Sequence, residues 1–89
     1  MLSDEWKQRL RIQRRRSDYR AVFEGEAGRA VLHDLMRRNF VLSTTIVVGE
    51  PQMTAFNEGR RAAVLDILQE LRMTGEQIEQ LTKERAQDE

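Results

Sequence analysis

The apolar positions of this chain fall into four blocks with helical spacing, and one longer stretch of different character separates the second from the third. In the first block, Ser3 to about Glu24, they are sparse. Trp6 and Leu10 are four apart, while Ile12, Tyr19 and Phe23 recur at seven and four, so the apolar face strengthens toward the C-terminal half. Ser3 is a suitable N-cap, Asp4 and Glu5 suit the positive end of the helix dipole, and no glycine or proline interrupts the run. The N-terminal half is expected to be exposed, frayed, or ordered only by a partner.

The second block, Glu26 to about Asn39, places Ala27, Val31 and Leu35 on one row and Gly28, Leu32 and Met36 on the next, a wide face that belongs inside. Gly28 costs about 1 kcal/mol relative to alanine in a helix interior. That cost is offset most simply if another helix crosses closely there. From Phe40 to Pro51 the character changes to "FVLSTTIVVGEP", rich in β-branched residues. Ile46, Val47 and Val48 suit a short strand, but a strand without a partner is marginal. The stretch therefore reads as a loop that packs apolar side chains over the helices, or as an edge awaiting another subunit.

Pro51 or Thr54 starts the third helix, which runs to about Met73, with Thr54 a sound N-cap. Phe56, Arg60, Ala63, Val64, Ile67, Leu68 and Leu71 follow its period, making it the best core helix. Gly75 punctuates it, and Glu76 to about Ala86 forms a weaker helix whose only large apolar residues are Ile78 and Leu81. This last helix is expected to be peripheral.

One polar cluster interrupts the third helix: Asn57, Glu58, Gly59, Arg60 and Arg61, inside "TAFNEGRRAAVLDIL". Arg60 and Arg61 as ordinary surface residues would be the plain explanation. Arg60, however, lies on the apolar face, which favours an ionic cluster at a helix contact. There Gly59 would let another backbone approach, Glu58 would accept an arginine fork, and Arg60 or Arg61 would bridge to a neighbouring helix end or to Asp34.

With 89 residues the chain is at most one small domain with a thin core, and without cysteine it has no disulfide or thiolate zinc site to offset that thinness. Oligomerisation or docking on a partner follows as an expectation. The formal net charge is zero but unevenly placed: residues 1–20 hold seven basic and three acidic side chains, residues 74–89 two basic and five acidic. The two ends should attract each other, or the ends of neighbouring copies. No apolar run approaches a membrane span and no signal peptide is evident, so a cytosolic location is expected.

Enzymatic readings fail on inventory. His33 beside Asp34 has no serine or cysteine nucleophile near it in sequence and reads as a solvent-facing or partly buried histidine. None of the glycines has the spacing of a phosphate loop, and no metal-ligand spacing is present. The sharpest electrostatic feature is the first helix, where Arg9, Arg11, Arg14, Arg15, Arg16 and Arg20, with Trp6 or Tyr19 to stack, could contact a partner or phosphates. The arginines are spread around the helix and no helix-turn-helix follows, so nucleic-acid binding is the alternative rather than the leading reading. A membrane-surface helix needs a large continuous apolar face that this segment lacks.

The order "YRAVFEGEAGRAVLHDLMRRNF", a β-rich connection, then "EPQMTAFNEGRRAAVLDIL" resembles a family of short bacteriophage and prophage proteins first catalogued in a tropism-switching phage of Bordetella. Phe23, Gly28, Val31, Leu32, Asp34 and Leu35 carry the first motif and Glu58, Gly59, Arg60 and Arg61 the second, within a match from about Tyr19 to Leu71. The resemblance implies a phage structural or virion-associated protein, encoded among head and tail morphogenesis genes, with no enzymatic activity and no cofactor. The basic N-terminal extension and the acidic tail lie outside it, and the loop at Ile46 to Val48 is more aliphatic than the family's.

Taken together, these features lead us to expect an all-α fold: a small helical bundle of three to four helices with an extended β-rich loop between the second and third. The second and third helices are expected to pair antiparallel, the loop to cross them and the first helix to form a third wall. The expected organisation is a basic helical extension over 1–18, a helical core over 19–73 and an acidic C-terminal helix or tail over 74–89. Expected partners are other phage virion proteins and further copies of the chain. Expected locations are the host cytoplasm during assembly, then the virion.

Overall fold

The computed structural model describes residues 3–87; Met1, Leu2, Asp88 and Glu89, the outermost residues of the two expected terminal segments, lie outside them. It is all-α, with α1 at Asp4–Phe23, α2 at Glu26–Arg38, α3 at Pro51–Glu70 and α4 at Gly75–Gln87. The Ser3 hydroxyl accepts from the Trp6 amide at 3.3 Å to open α1, which runs past residue 18 without a break. A capping box opens α4: the Thr74 hydroxyl accepts from the Gln77 amide at 3.2 Å, and the Gln77 side chain accepts from the Thr74 amide at 2.9 Å.

Two helix ends are closed by residues other than glycine. After α2, Phe40 takes a φ of 63° and the Val41 amide donates to the Met36 carbonyl at 3.0 Å. After α3, Arg72 takes a φ of 55° and the Met73 amide donates to the Leu68 carbonyl at 3.1 Å. Both bonds have the six-to-one pattern of a Schellman stop. In each, the residue past the turn (Val41, Met73) belongs to the same apolar cluster as the core residue it bonds (Met36, Leu68). Core packing thus selects a left-handed turn that the local side chain disfavours.

Leu32 and Met36 from α2, Val64 and Leu68 from α3 and Leu81 from α4 form the core, with Phe23 of α1 packed against it. The expectation of a peripheral last helix is therefore corrected: Leu81 is 0 % exposed, and Arg29 of α2 donates to Glu84 of α4 at 2.9 Å. That hydrogen bond, then one from Gln80, holds the Glu84 carboxyl below its usual range. α1 packs on α2 and α3, and α2 also touches α3 and α4, whereas the backbones of α1 and α4 do not come together among the described residues and the two helices share only the walls of a cleft.

Gly28 is where the α1–α2 corner closes. A Cβ built there would lie 2.1 Å from the Val22 carbonyl oxygen and 2.6 Å from the Phe23 Cα, so the close crossing comes from the end of α1. In contrast, Ala27 and Val31, expected inside, are exposed, and so are Phe56 and Ala63 of α3. His33, read as solvent-facing or partly buried, is buried. The linker forms no strand among the described residues, and Ile46 and Val48 point into solvent instead of covering the helices. A turn closed by the Glu50 amide on the Val47 carbonyl, with Gly49 at φ 78°, leads into α3.

Gly28→Ala should lower stability by about 2 kcal/mol or more, because its methyl meets backbone that cannot step aside. Arg72→Gly should raise it by roughly 1 kcal/mol, a rise of roughly 4–8 °C in Tm for a domain this size. Thermal unfolding of both checks the pair. The Glu84 carboxylate, with its pKa depressed on folding, contributes stability that is present above the ordinary glutamate range and lost as pH falls through the folded value. Unfolding followed from pH 7 to pH 3 should show a flatter acid limb for Glu84→Gln.

Candidate interaction site around the polar cluster of α3

Asn57, Glu58, Arg60 and Arg61 leave α3 one after another, and the helical turn sends them in different directions. Asn57 shares the inward face with Val64 and Leu68 and is buried. Its amide Nδ2 donates to the Thr45 carbonyl at 3.1 Å, and Glu58 accepts from the Thr45 hydroxyl. Thr45 is itself buried, so these two adjacent side chains hold one linker residue by its carbonyl and its hydroxyl. One turn earlier, the Thr54 hydroxyl accepts from the Val47 amide at 2.9 Å. Thr54, expected as N-cap, is an interior residue of α3 that binds the linker; the cap position is Glu50. Asn57 and Thr54 thus supply backbone hydrogen bonds that a neighbouring strand would otherwise supply, and Glu58 holds the Thr45 side chain.

Arg60 reaches the end of α2. Its Nε donates to Asn39 Oδ1 and its Nη2 to the Arg38 carbonyl, both at 3.0 Å, and its guanidinium lies 5.5 Å from the centre of the Phe40 ring. The Arg38 carbonyl is one of the four that a helix leaves without an internal partner at its C-terminus, the negative end of the helix dipole. Asn39 in turn donates to the Leu35 carbonyl at 2.8 Å. A planar fork suits this task because it serves a side chain and a backbone carbonyl at once while presenting a face to an aromatic ring.

Other expectations for the cluster are corrected. Glu58 accepts from a threonine, not an arginine, and Asp34 pairs with Arg37 at 3.2 Å and Arg38 at 3.4 Å on its own helix, not with Arg60 or Arg61. The Arg37 hydrogen bond is the leading cause that holds the Asp34 carboxyl low. Arg61 has its Nε buried without a hydrogen-bond partner. Gly59 is exposed, with no atom within 4 Å of a Cβ built on it, so none of the described residues approaches there. Thr45 and Asn39, on which the cluster converges, escaped the sequence reading; the polar break in the apolar period of α3 was the signal pointing to them.

The arginines of α1 do not form one site. Arg9 lies 5.7 Å from the Trp6 ring, Arg11 and Arg14 are exposed, and Arg15 pairs with Glu70 of α3 at 3.0 Å. Arg16 falls on the inward stripe with Ile12, Tyr19 and Phe23 and has its Nε buried. Arg20 edges a cleft of about 220 Å³ floored by Phe23, Leu32, Leu71 and Leu81. Among the described residues no cluster of His, Cys, Asp or Glu could hold a metal ion, and no helix is long and apolar enough to cross a membrane.

Arg60→Ala should destabilise by about 2 kcal/mol, the scale of hydrogen bonds to a charged donor, with Arg60→Lys recovering less than half because an ammonium lacks the fork. Asn57→Leu, which leaves the buried Thr45 carbonyl without its donor, should cost about 1–3 kcal/mol. Denaturant unfolding measures all three. Neither the curated proteins nor the solved structures compared with the chain gave a match. A family model described as Bbp19-like phage protein matches residues 19–83, which takes in both motifs, the Arg60 contact with α2 and the core residue Leu81. The match covers 65 of the 89 residues, and the chain belongs to this family of Bbp19-like phage proteins.

Proposed function

We propose that the chain is a non-enzymatic bacteriophage structural protein that makes protein–protein contacts in the particle or during its assembly. On this reading it acts first in the host cytoplasm and then in the virion. One observation carries the reading: among the described residues ten large hydrophobic side chains are exposed while five hydrophobics form the core. Scattered exposed leucines need no explanation, but a chain that exposes nearly as many large apolar groups as it packs in and around its core, where seven more are partly buried, has surfaces suited to a partner.

Shape supports the same reading. The radius of gyration is 16.0 Å, against about 12 Å for a compact domain of this length. Much of the excess is α1, a helix about 30 Å long whose side chains from Ser3 to Arg11 are all exposed. An arm with Trp6 and Leu10 half in water beside Arg9, Arg11 and Arg14 offers both apolar area and positive charge. Residues 74–89 carry five acidic and two basic side chains, which makes head-to-tail contact between copies, or contact with another acidic surface, a natural use.

The same exposed arginines favour a second reading, binding of nucleic acid by the arm. The two differ in salt response: binding to duplex DNA weakens with a slope of about −0.9 per phosphate contact.

Particles purified from the phage that encodes this chain, quantified by mass spectrometry against the major capsid protein, should contain it at a fixed copy number. Reversing Arg9, Arg11 and Arg14 to glutamate should leave the helical fold intact and lower that copy number. Absence from particles despite expression in the host would refute a virion role. Steeply salt-dependent DNA binding that the reversal abolishes would favour the second reading.

A further inference from the structure

Among the described residues, none covers one face of α3. Ala55, Phe56, Gly59, Ala62 and Ala63 are all exposed, Phe56 at 64 %, and their three- and four-residue spacing places them on a single strip. The buried residues Asn57, Val64 and Leu68 occupy the other side. Glycine in a helix interior is unfavourable, yet a Cβ at Gly59 would meet no atom within 4 Å, so the chain's own packing does not call for it. Beside it, Phe56 keeps a large apolar surface in water.

About Gly59 this strip is nearly symmetrical in position and opposite in bulk. Ala55 and Ala63 stand four residues before and after, Phe56 and Ala62 three before and after, and Gln52 and Asp66 seven before and after. A contact between identical surfaces requires that whatever residue i meets on the partner, its counterpart meets in return. An antiparallel crossing at Gly59 lays the Phe56 half of each helix on the alanine half of the other and brings the Gln52 amide toward the partner's carboxylate. Asp66, the strip's ionised group, is then kept about 20 Å from its copy. A parallel crossing would oppose Phe56 to Phe56 and Asp66 to Asp66.

We propose that this face is a homodimer contact in which the α3 helices of two copies cross antiparallel at Gly59. The inference rests on the interaction role proposed above and names one partner, a second copy of this chain. Glycine at the crossing admits the close backbone approach that the neighbouring alanines continue. The strip is short for a stable interface, so the dimer is weak and concentration-dependent.

Sedimentation equilibrium of the full chain from roughly 1 μM to roughly 1 mM tests this. The unmodified chain should dimerise reversibly. Gly59→Leu should weaken dimerisation by about tenfold or more while melting, in dilute solution, no lower than the unmodified chain, because space around the new side chain is open and leucine favours helix. Phe56→Ser should also weaken it, and Val48→Ser, on the exposed linker, should not. A monomer throughout the range, or a Gly59→Leu chain that dimerises as tightly, would overturn the proposal. Particle content separates the two ideas: a monomeric chain present at fixed copy number removes the dimer and keeps the virion role, whereas a Gly59-dependent dimer missing from particles does the reverse.

Discussion

Much of this small fold depends on how α2 ends. Its last carbonyls face a linker that offers no strand and few internal hydrogen bonds, and Arg60 resolves both by gripping Arg38, Asn39 and the Phe40 ring from the middle of α3. With that end closed, Phe40 can hold its left-handed turn and Val41 can drop back onto the core beside Met36. Asn57, Glu58 and Thr54 continue the attachment along the linker. A polar cluster inside an apolar helix is thus an internal fastening. The alternative would leave the Thr45 carbonyl buried and unpaired, which costs more than the polar side chains do.

The fastening also determines which surfaces are left over. Once Asn57 and Arg60 turn inward, Phe56, Gly59 and the alanines of α3 must turn outward, and the linker carries Ile46 and Val48 outward with it. At the other end of the molecule, Gly28 sets the corner from which α1 departs, so the exposed N-terminal half of that helix, with Trp6, Arg9, Leu10 and Arg11, projects beyond the core. A core of five buried hydrophobics among the described residues is small for a chain of this length, and association with a partner would add apolar burial. Membership in a phage protein family gives these surfaces their setting.

The sequence was legible where local chemistry decides. Helix positions followed from the apolar period, Ser3 marked the start of α1 to the residue, and of the two starts offered for α3, Pro51 and Thr54, the structure takes Pro51. Legibility failed where tertiary packing overrides a local preference. Phe40 and Arg72 stop helices without glycine because Val41 and Met73 are drawn to the core. Apolar residues lie almost all round α3, so their period alone could not tell the Phe56 side from the Asn57 side. Leu81 is one large residue on a polar helix, a weak pattern, yet it plugs the core completely. For the polar cluster the residues were visible and their partners were not: Thr45 sits in a stretch whose composition suggests a strand, and nothing local announces that side chains will replace the missing neighbour.

The account makes the polar cluster of α3 an internal fastening of the linker, present before any partner arrives. Amide hydrogen exchange at Val41 and Val47 in the free, monomeric chain tests this most directly. Both amides should be protected nearly as well as those in the adjacent turns of α2 and α3, since each donates to a group held by the core or by α3. Exchange of both at the rate of an unstructured peptide, with the helices still protected, would mean that the linker is loose in the free chain and that the cluster serves a surface outside it.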